Sequence, residues 1–189
     1  VHLSTAVFET PQLEEISPEG VEGERERLRA ALAATRQQLQ VMRDRIASEI
    51  GTKDADIFDA HLLMLEDRSV LDEVFSRLEQ RPQKAEGAFY GVMSRYVETL
   101  KRIGDEYLRE RTIDIEDVAR RVVRNLRGLQ PEHAPGEPHV LLCAELTPSD
   151  TAGLDRATVL GFATEGGSHT SHSTIKASRF HWSIQAMTR

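Results

Sequence analysis

A two-part α+β chain is the fold class the sequence predicts: an antiparallel helical bundle and an incomplete α/β domain, joined by a short linker. Three observations predict it. Between Pro18 and Gly128 apolar residues recur at steps of three, four and seven, which leaves one buried stripe on each of several helices. Three prolines and a glycine then cluster between Gln130 and Pro138, the composition of a linker. After them the period changes, and Val140–Ala144 is a continuous apolar run suited to a buried strand. The predicted divisions are residues 1–17 (start of the α/β domain), 18–128 (bundle), 129–138 (linker) and 139–189 (α/β domain).

Composition agrees with this division. Aromatic residues make up 5% and charged residues 29% of 189, a mix that suits solvated helices with one buried face. The net charge of −7 argues against a nucleic-acid surface and favours a basic partner. No apolar run reaches membrane-span length and no signal peptide opens the chain, so the expectation is a cytoplasmic protein off the membrane. A single cysteine, Cys143, excludes an internal disulfide and reads as inert packing. The chain begins at Val1 instead of Met and stops at Arg189 soon after its most informative motif, so it is expected to be a piece of a longer protein.

The elements follow in order. Val1–Thr10 reads as a short strand ended by Pro11. A long helix runs from Pro18 to Ile50 through Leu28, Leu32, Leu39 and Ile46, with Gly51 as its C-cap. A second covers Asp54 to Asp67, with Ile57, Phe58, His61, Leu62 and Leu65 along one side. Ser69 and Asp72 look like the capping box of a third, stopped at Arg81-Pro82-Gln83. Lys84 to Ile103 forms a fourth, with a bend expected near Gly87 or Gly91. Thr112 to Leu126 forms the last, with Gly128 after it. Beyond the linker, strand 139–144 leads to a short helix whose start is written in Thr147-Pro-Ser-Asp150: hydroxyl cap, proline at the first helical position, carboxylate at the third. A second buried strand is expected over 157–163.

The chemistry concentrates between Gly161 and Ala177. There a strand runs into a glycine turn, then Thr170, Ser171, His172 and Ser173 at the expected start of a helix. Glycine lets the backbone approach a bulky anion, and free N–H groups at a helix N-terminus bind phosphate. The same positive end keeps a histidine neutral and nucleophilic, which is what a phosphohistidine requires. The residues alone also fit a capped helix following a turn, and leave both readings open. A metal site built on His169, His172 and His181 lacks any companion Cys or HExxH pattern, so no metal is assigned to this chain. Arg120, Arg121, Arg124 and Arg127 read as the cationic end of the last helix in place of a nucleic-acid patch. His61, from its own surroundings, reads equally as a core histidine.

Thr-Ser-His-Ser-Thr-Ile-x-Ala at 170–177 resembles the active-site signature of phosphoenolpyruvate-utilising enzymes. The segments 55–67, 105–111, 124–126 and 146–152 resemble, in order, stretches of the Enzyme I family of the bacterial phosphoenolpyruvate:sugar phosphotransferase system. The likeness extends from about Glu14 to Ala177. It implies an α/β phosphohistidine domain interrupted by a helical subdomain that binds the carrier protein HPr. By that likeness His172 takes the phosphoryl group from phosphoenolpyruvate and passes it to a histidine of HPr, and the Thr151 hydroxyl hydrogen-bonds His172. Gly167, Thr170, Ser171 and Ser173 fall on the loop that cradles the phosphate. Asp59, His61, Leu63, Met64 and Arg111 match positions of the HPr-binding face. In the family, phosphoenolpyruvate and Mg²⁺ bind a carboxy-terminal barrel that also dimerises the protein. This chain is therefore expected to be monomeric and to need that barrel for phosphorylation by phosphoenolpyruvate.

The sequence departs from the family pattern at Ser168 and His169, at Lys176, in the order Ser178-Arg179, and from Phe180 to Arg189, where the Ile-Pro-Ala strand is not found. Two other functions remain in view: a related phosphohistidine protein, such as a multiphosphoryl fusion or the dihydroxyacetone kinase phosphotransfer subunit, and a non-catalytic HPr-binding module.

Overall fold

The computed structural model describes residues 2–3, 10–49, 51–129, 137–143, 147–154 and 158–164. The chain divides into two compact units, Phe8–Gln130 and Val1–Val7 with Pro131–Arg189.

The first unit is the helical bundle. A short 3₁₀ turn, Pro18–Gly20, opens α1 (Val21–Glu49); α2 (Thr52–Leu65), α3 (Arg68–Gln80), α4 (Ala85–Ile103) and α5 (Glu106–Leu126) follow. Their apolar stripes converge on one core of Leu28, Leu39, Phe58, Val74, Leu78, Phe89, Val92 and Val122, each at most 2% exposed. α1, the longest helix, packs against α2 and α5. A polar seam crosses its contact with α5. Thr35 is fully buried; its hydroxyl donates to the Ala31 carbonyl at 2.8 Å and accepts from Asn125 Nδ2 at 2.8 Å, while Gln38 Nε2 donates to Asn125 Oδ1 at 3.0 Å. Each buried polar group thereby finds a partner, the condition for placing it there at little cost.

Several local expectations change. The cap of α3 is Asp67, not Ser69: its carboxylate accepts from the backbone N–H groups of Ser69 (2.8 Å) and Val70 (3.5 Å), and from the Ser69 hydroxyl at 2.6 Å. An ionised carboxylate outcompetes a hydroxyl for N–H groups at the positive end of a helix. Gly51 does two jobs. Its N–H bonds the Ile46 carbonyl at 3.2 Å, closing the last turn of α1, and at φ +136° it also precedes the first residue of α2. α4 runs as one helix through Gly87 and Gly91, and neither glycine interrupts it. They admit neighbours: a Cβ on Gly87 would lie 3.2 Å from the Gln12 carbonyl, and one on Gly91 would meet the Arg77 guanidinium at 3.2 Å. α5 starts six residues before the expected Thr112, directly after the left-handed Gly104 cap and Asp105. Residues 10–17, expected with the α/β domain, belong to the bundle. Ile16 N donates to the Pro82 carbonyl at 3.2 Å, Lys84 N to the Glu14 carbonyl at 2.8 Å, and Glu15 forms a bridge with Gln83.

Among the described residues, the second unit holds three parallel strands in the order β1-β2-β3: His2–Leu3, His139–Cys143 and Val159–Thr164. His2 pairs with Leu141 and Leu141 with Phe162, with one register shift between His139 and Val140. Helix α6 (Pro148–Gly153) connects β2 to β3. Its start is as the sequence predicts. Asp150 N donates to the Thr147 hydroxyl oxygen at 3.1 Å, and Thr147 N donates to Asp150 Oδ2 at 3.1 Å, a reciprocal capping box. The Thr147 hydroxyl also donates to Asp150 Oδ2 at 2.8 Å. β1 and β2 are neighbours in the sheet, yet the whole bundle lies between them in sequence. The bundle is an insertion into an α/β unit.

Candidate functional site

In the bundle, α2 and the start of α5 carry the predicted docking residues. Leu63 is 73% exposed, and Met64 beside it is half-buried. Leu63 stands between two ion pairs that join α2 to α1. Arg43 Nε lies 2.5 Å from Asp59 Oδ1, and Arg36 Nε lies 3.1 Å from Glu66 Oε1. Both pairs obey the same antiparallel register, so they mark the line along which the two helices meet. Asp59 is therefore already engaged by Arg43, which its hydrogen bond keeps firmly protonated.

His61 is wholly buried on the opposite side of α2 from Leu63, its ring edge-on to Phe58 at a centroid distance of 5.7 Å. Neither ring nitrogen has a hydrogen-bond partner, and Nε2 lies 3.7 Å from Asp114 Oδ1. Arg111, one third exposed, donates from Nη1 to Asp114 Oδ2 at 3.2 Å. Two residues named from the sequence, on different helices, are thus joined through a third that sequence reasoning missed. Asp114 is 6% exposed. The available signal was its place three residues after Arg111, the spacing that puts two side chains on one helix face.

The residues predicted for phosphoryl transfer fall in the second unit. Thr151 lies in α6, directly after the capping-box carboxylate Asp150. His172, Gly167, Thr170, Ser171 and Ser173 lie outside the described residues. Among the described residues there is no cluster of His, Cys, Asp and Glu able to hold a metal ion, and no helix long and apolar enough to cross a membrane.

The architecture, an α/β unit interrupted by a bundle, has counterparts. The sequence profile described as "PEP-utilising enzyme, N-terminal" matches residues 1–111, and that described as "PEP-utilising enzyme, mobile domain" matches residues 135–182. The chain belongs to the PEP-utilising enzyme family. Within this family the likeness is to Enzyme I. The solution structure of an Enzyme I protein superposes with a TM-score of 0.78 at 31% identity, covering 94% of this chain and 73% of the other. The amino-terminal domain of a nitrogen-type Enzyme 1 gives a TM-score of 0.73 at 22% identity, covering 97% of this chain and 76% of that one, which speaks for the fold alone. Among curated PEP-utilising relatives, phosphoenolpyruvate-protein phosphotransferases from Priestia megaterium and Bacillus subtilis are similar. The first is 37% identical over 174 residues (90% of this chain, 30% of the relative), the second 39% over 158 residues (82% and 28%). The chain therefore spans about 30% of the length of the curated relatives it matches.

Proposed function

We propose that this chain is the phosphoryl-relay and carrier-docking part of an Enzyme I of the sugar phosphotransferase system. The observation that carries the reading is the match to an Enzyme I structure across both units, bundle and sheet, at 31% identity. In this reading a ring nitrogen of His172 uses its lone pair to attack the phosphorus of phospho-HPr. The new N–P bond forms as the N–P bond to the carrier histidine breaks, and the reverse step delivers the group to HPr. The Thr151 hydroxyl orients the His172 ring. Gly167, Thr170, Ser171 and Ser173 supply close backbone approach and donors to the phosphoryl oxygens. Leu63, Met64, Asp59 and Arg111 form the face that receives HPr, with His61 buried behind it. Binding of phosphoenolpyruvate and Mg²⁺, and dimerisation, belong to the part of the relatives outside the aligned length. The setting is the cytoplasm.

Incubation with ³²P-labelled phospho-HPr tests the reading. The expected result is an acid-labile label on the 189-residue chain that His172→Ala abolishes. Phosphoenolpyruvate with Mg²⁺ and no other protein is expected to leave the chain unlabelled. A chain that binds HPr but never takes the label would make it a silent docking module, and the relay would be wrong.

A further inference from the structure

We propose that Asp114 is a positioning residue of the docking face, holding Arg111 in one orientation at the surface with His61 as its buried second support. The inference rests on the docking reading above and adds to it a residue that the reading does not include. Burying a carboxylate costs several kilocalories per mole unless it is paired and hydrogen-bonded, so a 6%-exposed Asp114 must be answered by its neighbours. Two groups answer it, one for each oxygen. Oδ2 accepts from Arg111 Nη1 at 3.2 Å, and Oδ1 faces His61 Nε2 at 3.7 Å, inside ion-pair range and just beyond hydrogen-bond range.

The arrangement differs from an ordinary surface ion pair in what it restrains. Arg111 and Asp114 are three apart on α5, so the pair alone would be a weak, flexible helix-surface contact. Here the carboxylate end is sunk in the core and His61 is fixed by Phe58, so the acceptor cannot follow the guanidinium outward. The arginine loses rotamers before any partner arrives, and that ordering need not be repeated on docking. His61 belongs to α2, the helix that exposes Leu63, so the same cluster ties the placement of Arg111 to the apolar part of the face. A buried histidine with no hydrogen bond is otherwise a costly residue to keep.

The test is side-chain NMR of the arginine guanidinium groups combined with HPr titration. In the wild-type chain, Arg111 (assigned by its loss in Arg111→Ala) is expected to show restricted rotation and separate Nη signals. Arg102, whose side chain is 83% exposed and pairs with Glu98 only at 3.9 Å, serves as the mobile reference. Asp114→Asn is expected to release Arg111 and to weaken HPr binding roughly tenfold, the size of one charge-assisted contact. The double variant is expected to bind no more weakly than Arg111→Ala alone, and Asp114→Glu to recover part of the affinity. A wild-type Arg111 as mobile as Arg102 would overturn the proposal, without any variant having to fold. So would losses that add in the double variant, since Asp114 would then act on HPr by another route. If wild type shows a restrained Arg111 but no affinity for HPr, the docking reading falls and the positioning of Arg111 stands.

Discussion

Leu63→Ala separates docking from folding, because the side chain is 73% exposed and does little for the core. Full burial of a leucine is worth about 1.5–3 kcal/mol. With roughly three quarters of it still open to solvent, and Cβ kept in the variant, a docked partner that covers Leu63 gains about 1–2 kcal/mol that the variant forfeits. HPr affinity should fall roughly 5- to 30-fold. Stability should move by no more than about 0.5 kcal/mol, since the change is at the surface and alanine is a better helix former than leucine. The assay is isothermal titration of HPr into wild type and variant, paired with urea denaturation of each. Val41→Ala is the control: Val41 is 63% exposed on α1 and outside the proposed face, and its loss should change affinity less than about twofold. A folded Leu63→Ala chain that binds HPr within twofold of wild type would refute the reasoning, and would move the docking surface away from α2.

Two further predictions concern the frame that presents this face. Arg27 donates to Glu24 (2.7 Å), to Glu86 (2.6 Å) and to the Leu126 carbonyl (2.8 Å), so one guanidinium joins α1, α4 and α5. Glu86 is buried and its Oε2 has no hydrogen-bond partner, so Arg27→Met strips the carboxylate of its ion pair and should cost about 2–3 kcal/mol. That figure is discounted for an arginine side chain that is 41% exposed. Adding Glu86→Gln should restore part of the loss in urea midpoint, and a single-variant cost below about 0.5 kcal/mol would show the junction to be decorative. At the start of α3, hydrogen bonds from the Ser69 hydroxyl and backbone hold the Asp67 carboxyl below its ordinary range. A folded value lower than the unfolded one means the stabilisation is complete above the ordinary carboxylate range and is lost as pH falls through the folded value. Asp67→Ala should therefore cost about 1 kcal/mol at neutral pH, and the gap to wild type should close on acidification. A gap that is the same at pH 7 and pH 2.5 would mean the carboxylate is not the cap.

What was legible in the sequence was the periodicity and the punctuation. Leu28, Leu39 and Ile46 announce the buried stripe of α1, and Thr147-Pro-Ser-Asp150 announces the start of α6 down to its reciprocal hydrogen bonds. Both are local signals, each carried by residues of a single element. The misreadings occur where a local signal had a competitor. Ser69 looked like a cap, but Asp67, two residues earlier, starts the helix sooner and gives the first free N–H groups, those of Ser69 and Val70, a charged acceptor. At Gly87 the missing side chain makes room for the Gln12 backbone, a contact seventy-five residues away that no window on α4 can contain. The site divides the same way. His61 and Arg111 could be named from resemblance, but Asp114 joins them through the fold, and the burial of His61 is decided by where Phe58 and α5 come to rest.

The topology explains why the docking and transfer readings can be tested apart. Neighbouring parallel strands cannot be joined by a tight turn and need a crossover of a dozen or more residues. Between β1 and β2 the described residues of that crossover form five helices, with buried apolar residues from Leu28 to Leu126. The entropy of closing so long a connection grows only logarithmically with its length, so a large insertion is tolerated if it pays for its own ordering by burying its own apolar surface. The bundle does so. A variant on its outer face, such as Leu63→Ala, therefore acts on a residue of the bundle unit. A His172→Ala variant acts in the other unit. If the relay is as proposed, the first should slow labelling by phospho-HPr only at subsaturating carrier, while the second abolishes it at any concentration. A Leu63→Ala chain whose labelling rate stays depressed at saturating carrier would mean that the face does more than dock, and that α2 also sets the geometry of the transfer itself.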